Sequence, residues 1–174
     1  MKTRRVEIFT GKKFTVPQGI QRIDGAATHG WQVRYGGTRL FSDGSPDGKG
    51  ARAALALATA ELMRRIERLP APARLQRAPN GNKTSELPVG ISGPMVRLRR
   101  GASVHDCSFS VSLPRHGQAP RRRSVYIASE NTWSQERYDA ALAKAIGLRD
   151  AAETAYRRAA TQAKRAGARR FVSR

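Results

Sequence analysis

The chain has 174 residues, and its 33 Lys and Arg against 13 Asp and Glu give a formal net charge of +20 at pH 7. The apolar content of 39% is too high for a disordered chain, the single cysteine excludes a disulfide framework, and no apolar run approaches the roughly 20 residues that cross a bilayer. A positive excess of this size indicates a polyanionic partner, with nucleic acid as the first candidate.

The positive charge is spread along the chain. Residues 1–80 carry 15 basic and 6 acidic side chains, and residues 81–174 carry 18 and 7. We therefore expect both halves to contact the partner. The N-terminal sequence lacks the apolar core of a signal peptide, so we expect a cytoplasmic protein that is associated with the nucleoid when it is bound to DNA.

The first predicted module covers residues 17–69. It contains strands near residues 19–23 and 38–41, on either side of a central strand, and a helix from about residue 51 to 69 with apolar residues at spacings of three and four. Residues 1–16, which precede this module, predict a short hairpin. The helix would cover one face of the three strands and leave the other face open.

The central strand of this module has a strict alternation. Trp31, Val33 and Tyr35 alternate with Gln32 and Arg34, which is the period of a half-buried strand. We expect the aromatic and aliphatic side chains to face the helix. The two polar side chains should then lie on the open face.

An internal repeat divides the chain. Pro17-Gln-Gly-Ile recurs 71 residues later as Pro88-Val-Gly-Ile, and each copy is followed by strand-like segments and an Ala-rich helix. This predicts two similar modules, with a Pro-rich linker at 70–87, a second module at 88–164 and a frayed basic tail at 165–174.

The second module begins with strands at 95–100 and 107–113. The latter alternates apolar residues with serines, and the loop that follows leads through Arg121, Arg122 and Arg123 into a third strand at 124–128. Trp133 begins a helix that continues toward Lys164, with a capping box formed by Thr132 and Gln135 and a possible break at Gly147. The predicted fold class is therefore α+β, with two tandem modules that each pack one helix on a three-stranded antiparallel sheet.

Several short motifs resemble the plant Apetala-two/ethylene-response-factor DNA-binding domain. They are Gly19-Ile20, Trp31-Gln-Val33-Arg34, Phe41 and the Ala-rich helix at 51–69, and the likeness is greater still to the bacterial and phage relatives and to the arm-binding domains of tyrosine recombinases. The second module resembles the family loosely, because Cys107 or Phe109 replaces the tryptophan. The resemblance implies that the open sheet face enters the major groove of duplex DNA.

The same open face is expected to be a binding surface on physical grounds, because Arg and Gln on it cannot be core residues and a β-ribbon fits the major groove. The residues expected to contact DNA are Gln21, Arg22, Gln32, Arg34 and Arg39 in the first module, and Arg97, Arg99, Ser110, Ser112, Arg121, Arg122, Arg123 and Tyr126 in the second. Plant members of the family carry more Arg and Trp on the first strand, where this chain has Gln18 and Gln21. That difference leaves the base preference open.

No sequence motif indicates catalysis. The chain has no acidic cluster for two-metal cleavage, no recombinase constellation and no nucleotide-binding loop, and its three histidines have no carboxylate or thiol at ligand spacing. We therefore expect a non-enzymatic protein without metal, cofactor, small-molecule substrate or membrane partner, and a monomer whose two modules bind duplex DNA. The alternatives are an adaptor or inhibitor that binds a nucleic-acid enzyme, and an RNA-binding protein.

Overall fold

The computed structural model of the chain describes residues 1–73, 75–79, 81–83, 85–98, 101 and 103–173. In chain order the elements are β1 (Thr3–Glu7), β2 (Lys13–Pro17), β3 (Ile20–Asp24), β4 (His29–Arg34), β5 (Thr38–Ser42), α1 (Ala51–Arg68), β6 (Ile91–Leu98), β7 (His105–Arg115), β8 (Gln118–Ser129), a 3-10 turn (Glu130–Thr132) and α2 (Gln135–Val172). The expected mixture of helices with antiparallel sheets is confirmed. The expectation of two sheets is wrong, since the described residues form three, with strand orders β1-β2, β3-β4-β5 and β6-β7-β8.

The chain divides into two compact units. The first comprises Met1–Ala71 together with Thr161–Arg174, and the second comprises Pro72–Ala160. The β1-β2 hairpin, which the sequence suggested as a segment of its own, is part of the first unit. Helix α2 contributes its beginning to the second unit and its end to the first.

The core of the first unit lies between α1 and the β3-β4-β5 sheet. Trp31 is fully buried, as are Leu62 and Ile66 of α1, which are one helical turn apart and therefore lie on one face of that helix. The indole Nε1 of Trp31 donates a 2.8 Å hydrogen bond to the carbonyl of Ala51, so the buried tryptophan leaves no polar atom without a partner. Phe14 of the hairpin packs edge-on against the same ring, at 5.7 Å between centroids.

The core of the second unit repeats this arrangement with smaller helix residues. Phe109 and Val111 of β7 are fully buried, together with Ala145 of α2. The ring of Tyr138 meets Phe109 edge-on at 5.1 Å. Of the two residues that the sequence offered in place of the tryptophan, Phe109 is thus the one buried in the core, whereas Cys107 is only partly buried.

Two expectations about α2 are wrong. The helix continues without a break through Gly147, because an interior glycine costs only about 1 kcal/mol relative to alanine and the packing on either side outweighs it. At its start, Ser134 rather than Thr132 caps the helix, since the Ser134 hydroxyl accepts a hydrogen bond from the backbone N–H of Arg137. Thr132 instead forms a capping box with Ser129 around the 3-10 turn.

The expected frayed tail at 165–174 is also wrong. Helix α2 extends to Val172, and Ala168, which is only 6% exposed, belongs to the core of the first unit. The N-terminal amino group of Met1 donates a hydrogen bond to the Gly167 carbonyl at 3.2 Å, and Arg169 forms an ion pair with Glu67 at 2.8 Å. The basic composition of this segment suggested a tail, but its small residues Gly167 and Ala168 allow it to pack closely against the first unit.

Ala168→Glu should therefore lower the free energy of unfolding of the first unit by about 1–3 kcal/mol, because a larger, charged side chain must enter a packed core. Ala166→Glu is the matched control, since Ala166 is exposed on the same part of α2. Urea unfolding followed by Trp31 fluorescence, in a Trp133→Phe background, measures both. Equal free energies of unfolding for the two variants would show that the end of α2 does not contribute to the stability of the first unit.

Candidate nucleic-acid interface

The strand register sorts the residues of the β3-β4-β5 sheet onto two faces. Ile20 pairs with Val33, and Trp31 pairs with Phe41, so these residues share the face that α1 covers. We call the opposite side the outer face of the first sheet. Its cross-strand rows are Ile23–Gly30–Ser42, Gln21–Gln32–Leu40 and Arg34–Thr38.

The predicted residues Gln21, Gln32 and Arg34 lie together on this outer face. The Nε of Arg34 donates a 2.6 Å hydrogen bond to Oε1 of Gln32, which orients the guanidinium and leaves its two terminal amino groups available. A shallow depression of about 430 Å³ lies beside them, bordered by the β4-β5 turn at Gly36 and Gly37. Leu40, which is 41% exposed, adds an apolar side chain to this polar face.

Arg22 was expected on the open face and lies instead on the face that α1 covers. Its side chain is 6% exposed, and its two terminal nitrogens donate to the fully buried carboxylate of Asp43 at 2.9 and 2.6 Å. Its Nε donates to Asp24 at 2.9 Å, and its guanidinium lies 4.9 Å from the centre of the Trp31 ring. The reason is the two-residue period of a strand, which places Arg22 on the same side as the buried Ile20.

Arg39 is likewise on the covered side, where it is paired in register with Val33. It lies at the edge of the sheet, with its guanidinium 5.1 Å from the Phe41 ring and 3.8 Å from the carboxylate of Glu61. The burial of Phe41, two residues further along β5, fixes this side. Arg39 is therefore not part of the outer face.

The β6-β7-β8 sheet also has an outer face, on the side away from the core residues Phe109 and Val111. Five of the predicted residues lie on it: Arg97, Ser110, Ser112, Arg122 and Tyr126. The phenol of Tyr126 is 49% exposed. Arg99 lies outside the described residues.

Ser92, Ser108 and Ser124, which the sequence did not single out, also lie on this second outer face. Ser92, Ser110 and Ser124 form one row across all three strands, and Ser108 pairs with Tyr126 in the next row. The strict alternation of serine with apolar residues along β7 was the available signal for Ser108. The face is consequently dense in hydroxyl groups.

The three consecutive arginines were expected in a loop and lie instead in β8, because the strand pairing continues to a tight turn at His116 and Gly117. Arg122 pairs with Ser112 and therefore belongs to the outer face. Arg121 and Arg123 pair with Leu113 and Val111, so they belong to the opposite side. All three are exposed.

Carboxylates are concentrated on the covered side of the first sheet, where arginines pair with them. Burial alone would raise the pKa of Asp24, but hydrogen bonds from Arg22 and His29 bring it below its usual value. Hydrogen bonds from Arg64 and Arg65 lower the pKa of Glu61 to about 2, against an opposing effect of desolvation. These acids are thus ionised at neutral pH and bound to basic partners.

The outer faces are correspondingly poor in negative charge. No carboxylate occurs in the described rows of the first outer face, and Asp106 is the only one in the described rows of the second, where it lies at one end beside Arg97 and Ser129. A polyanion that approaches either face therefore meets mainly neutral side chains and arginine. This arrangement suits binding to phosphate and to base edges.

The histidines have local partners. His29 hydrogen-bonds Asp24 at 3.0 Å and stacks on Phe9, with ring centroids 4.1 Å apart, and His105 lies 3.2 Å from a carboxylate oxygen of Glu130. In the part of the chain that the structure describes, no group of three or more His, Cys, Asp or Glu side chains is placed to hold a metal ion. Nor is any described helix long and apolar enough to cross a membrane.

Comparisons with protein-family models, with curated proteins and with solved structures give no significant match to this chain. The features that point to a function are therefore the geometry and charge of the two outer faces, together with the short motifs of the first module.

Removing Arg22 tests its structural role. Arg22→Ala should lower the free energy of unfolding by roughly 3–5 kcal/mol, because it leaves the buried Asp43 carboxylate without its partner. Arg34→Ala on the outer face should change it by no more than about 0.5 kcal/mol. Urea denaturation of both variants checks this difference, and a small effect of Arg22→Ala would return Arg22 to the list of candidate contact residues.

Proposed function

We propose that this chain is a non-enzymatic double-stranded DNA-binding protein with two tandem sheet-and-helix modules, and that each module contacts DNA with its outer face. The observation that carries the proposal is the side of each sheet that its helix leaves uncovered. In both modules that side presents arginine with neutral hydrogen-bonding side chains, on a chain of net charge +20.

On the first outer face, the side chains of Gln32 and Arg34 have the chemistry of base-edge contacts. Arg pairs through two parallel hydrogen bonds with guanine, and Gln pairs in the same way with adenine. The bond from Arg34 to Gln32 fixes the orientation of the guanidinium before DNA arrives, which lowers the entropy lost on binding. The resemblance of the first module to Apetala-two-like domains points to the same face.

Ion pairing favours the outer faces over the covered sides as the DNA contact. Arg22 and Arg39 already neutralise carboxylates, so binding phosphate would require those ion pairs to break. Among the residues that the structure describes, Arg34 has only a neutral partner, the amide oxygen of Gln32, and it keeps its full charge for an incoming phosphate or base.

Two DNA-binding modules in one chain would act together, because binding of one module raises the effective concentration of the other at the same DNA. The DNA is expected to be double-stranded. Of the aromatic residues in the described part of the chain, Tyr126 alone occurs in the cross-strand rows of the outer faces, and single-stranded RNA or DNA is bound chiefly by base stacking on several exposed aromatic rings.

Binding to random duplex DNA should depend strongly on salt. If about 6–10 phosphates are neutralised, affinity should fall by about 10³–10⁵ between roughly 50 and 200 mM salt, because each phosphate contact releases counterions. Fluorescence anisotropy with labelled duplex DNA measures this dependence. Absence of binding throughout that range would overturn the proposed function, and preference for structured RNA in competition would move it to the RNA-binding class.

Two adjacent arginines of β8, which lie on opposite sides of the second sheet, provide a matched comparison of those sides. Arg122→Ala should weaken binding to all duplex sequences and make the slope of log affinity against log salt shallower by about 1. Arg121→Ala changes the neighbouring, equally exposed residue on the other side and should have a much smaller effect.

Arg34→Ala and Arg39→Ala form the equivalent pair in the first sheet. Arg34→Ala should cost about 1–3 kcal/mol in binding to a preferred sequence, whereas Arg39→Ala should leave affinity nearly unchanged. Thermal melting verifies that every variant is folded. If the covered-side variants bind as weakly as the outer-face variants, the contact surface has been placed on the wrong side.

A further inference from the structure

The start of the first strand and the end of the central strand can be aligned residue by residue between the two three-stranded sheets, through their backbone hydrogen bonds and register. The Gly19 carbonyl accepts a 2.8 Å hydrogen bond from the backbone N–H of Arg34, and the Gly90 carbonyl accepts one of the same length from Ser112. In each module the isoleucine that follows the glycine is buried and pairs with the valine that precedes the donor. Arg34 and Ser112 therefore occupy equivalent positions.

This equivalence extends across the two outer faces. On the central strands, Gln32 lies two residues before Arg34, and Ser110 lies two residues before Ser112, so Gln32 and Ser110 are equivalent. Each of them pairs with the residue that follows the buried isoleucine of its own module. Gln21 thus corresponds to Ser92. Three long side chains on the first outer face are replaced by serine at the same three places on the second.

Side-chain length decides what each face can reach. A serine hydroxyl lies next to the backbone, so a serine reaches less far from the sheet than the terminal groups of Gln or Arg. Gln and Arg carry planar groups at the end of flexible chains and can form paired hydrogen bonds with base edges. Serine hydroxyls suit the phosphates and sugars at the groove rim, which carry no direct sequence information.

On the basis of the proposed function, we propose that the two outer faces have different roles in DNA recognition. The first outer face reads bases through Gln21, Gln32 and Arg34. The second outer face contacts the sugar–phosphate backbone through its serines and through Arg122, without sequence preference. The target of the chain is then one short sequence motif flanked by duplex of any sequence.

The position of Arg122 agrees with this division. Arg122 pairs across the sheet with Ser112, and Thr38 occupies the corresponding place beside Arg34. The first module therefore carries its arginine on the central strand, next to the orienting Gln32. The second carries its outer-face arginines, Arg97 and Arg122, on the two edge strands, where contact with a phosphate needs no orienting partner.

In vitro selection from random duplex DNA by the full chain gives the first test. One contiguous motif with unselected flanks is expected. Two separate motifs, or no enriched motif despite tight binding, would overturn the division while leaving the proposed function standing. If the full chain binds no duplex DNA, the proposed function itself fails.

Reciprocal exchange of the equivalent residues gives a sharper test. The first variant carries Gln21→Ser, Gln32→Ser and Arg34→Ser, and the second carries Ser92→Gln, Ser110→Gln and Ser112→Arg. The first variant should lose about 5- to 150-fold in affinity for the selected motif and bind it no better than random duplex, while it retains salt-dependent binding to random duplex. The second variant should acquire a second preferred motif on repeating the selection.

Two results would contradict the division. One is a first variant that still prefers the selected motif, which would place base reading elsewhere. The other is a first variant that loses affinity for random and selected duplex by the same factor, which would make Arg34 a phosphate contact. Thermal melting checks that both triple variants are folded, and Arg39→Ser serves as the single-arginine control on the covered side.

Discussion

Each three-stranded sheet in this chain is closed on one face by a helix, and successive side chains of a strand point to opposite faces. This constraint decides the role of almost every polar residue in the strands. A residue that is in phase with Trp31 or Phe109 and is buried must be apolar or must find a charged partner, whereas Arg121 and Arg123 have the same phase but stay exposed. A residue one position out of phase faces away from the helix and can bind something else.

Arg22 shows what it costs to place a charge on the covered side. A buried guanidinium requires compensation, and Asp43 and Asp24 provide it from two different segments. The cluster therefore ties β3 to the loop after β5, and Asp24 also accepts a hydrogen bond from the backbone N–H of Phe9 in the hairpin. Because acidic residues are occupied in this way beneath the first sheet, its outer face is left without negative charge.

The sequence predicted the strands and helices well where periodicity is unambiguous. Alternation around Trp31 gave the correct sides for Gln32 and Arg34, and the apolar spacing of α1 gave its extent. The errors occurred where a charged residue lies on the covered side of the sheet, buried in the case of Arg22 and at the edge in the case of Arg39. Arg22 and Arg39 were assigned by residue type, although their phase relative to Ile20 and Phe41 already placed them on the covered side.

The remaining errors arise from tertiary contacts, which no local sequence pattern indicates. The end of α2 reads as a basic tail, and only its docking against residues far away in sequence, such as Met1 and Glu67, makes it helical and ordered. Likewise, prolines on both sides of the β7-β8 turn suggested a loop through Arg121, whereas the pairing of β7 with β8 extends the strand to Gln118. Propensity is a weak guide where long-range pairing satisfies the backbone.

The repeated Pro-x-Gly-Ile motif has a structural role that does not depend on DNA binding. Gly19 and Gly90 both have positive φ, of 109° and 80°, which disfavours any other residue. Added Cβ atoms would lie 3.2 Å from Leu62 and 2.5 Å from the Arg149 guanidinium, so each glycine also permits close packing of its helix. What the two modules share therefore sets the strand register and the helix contact. The residues that distinguish the two modules are next to these shared residues in the strands and therefore lie on the outer faces. There, serines replace Gln21, Gln32 and Arg34 in the second module. A difference in DNA recognition between the modules must arise from this exchange.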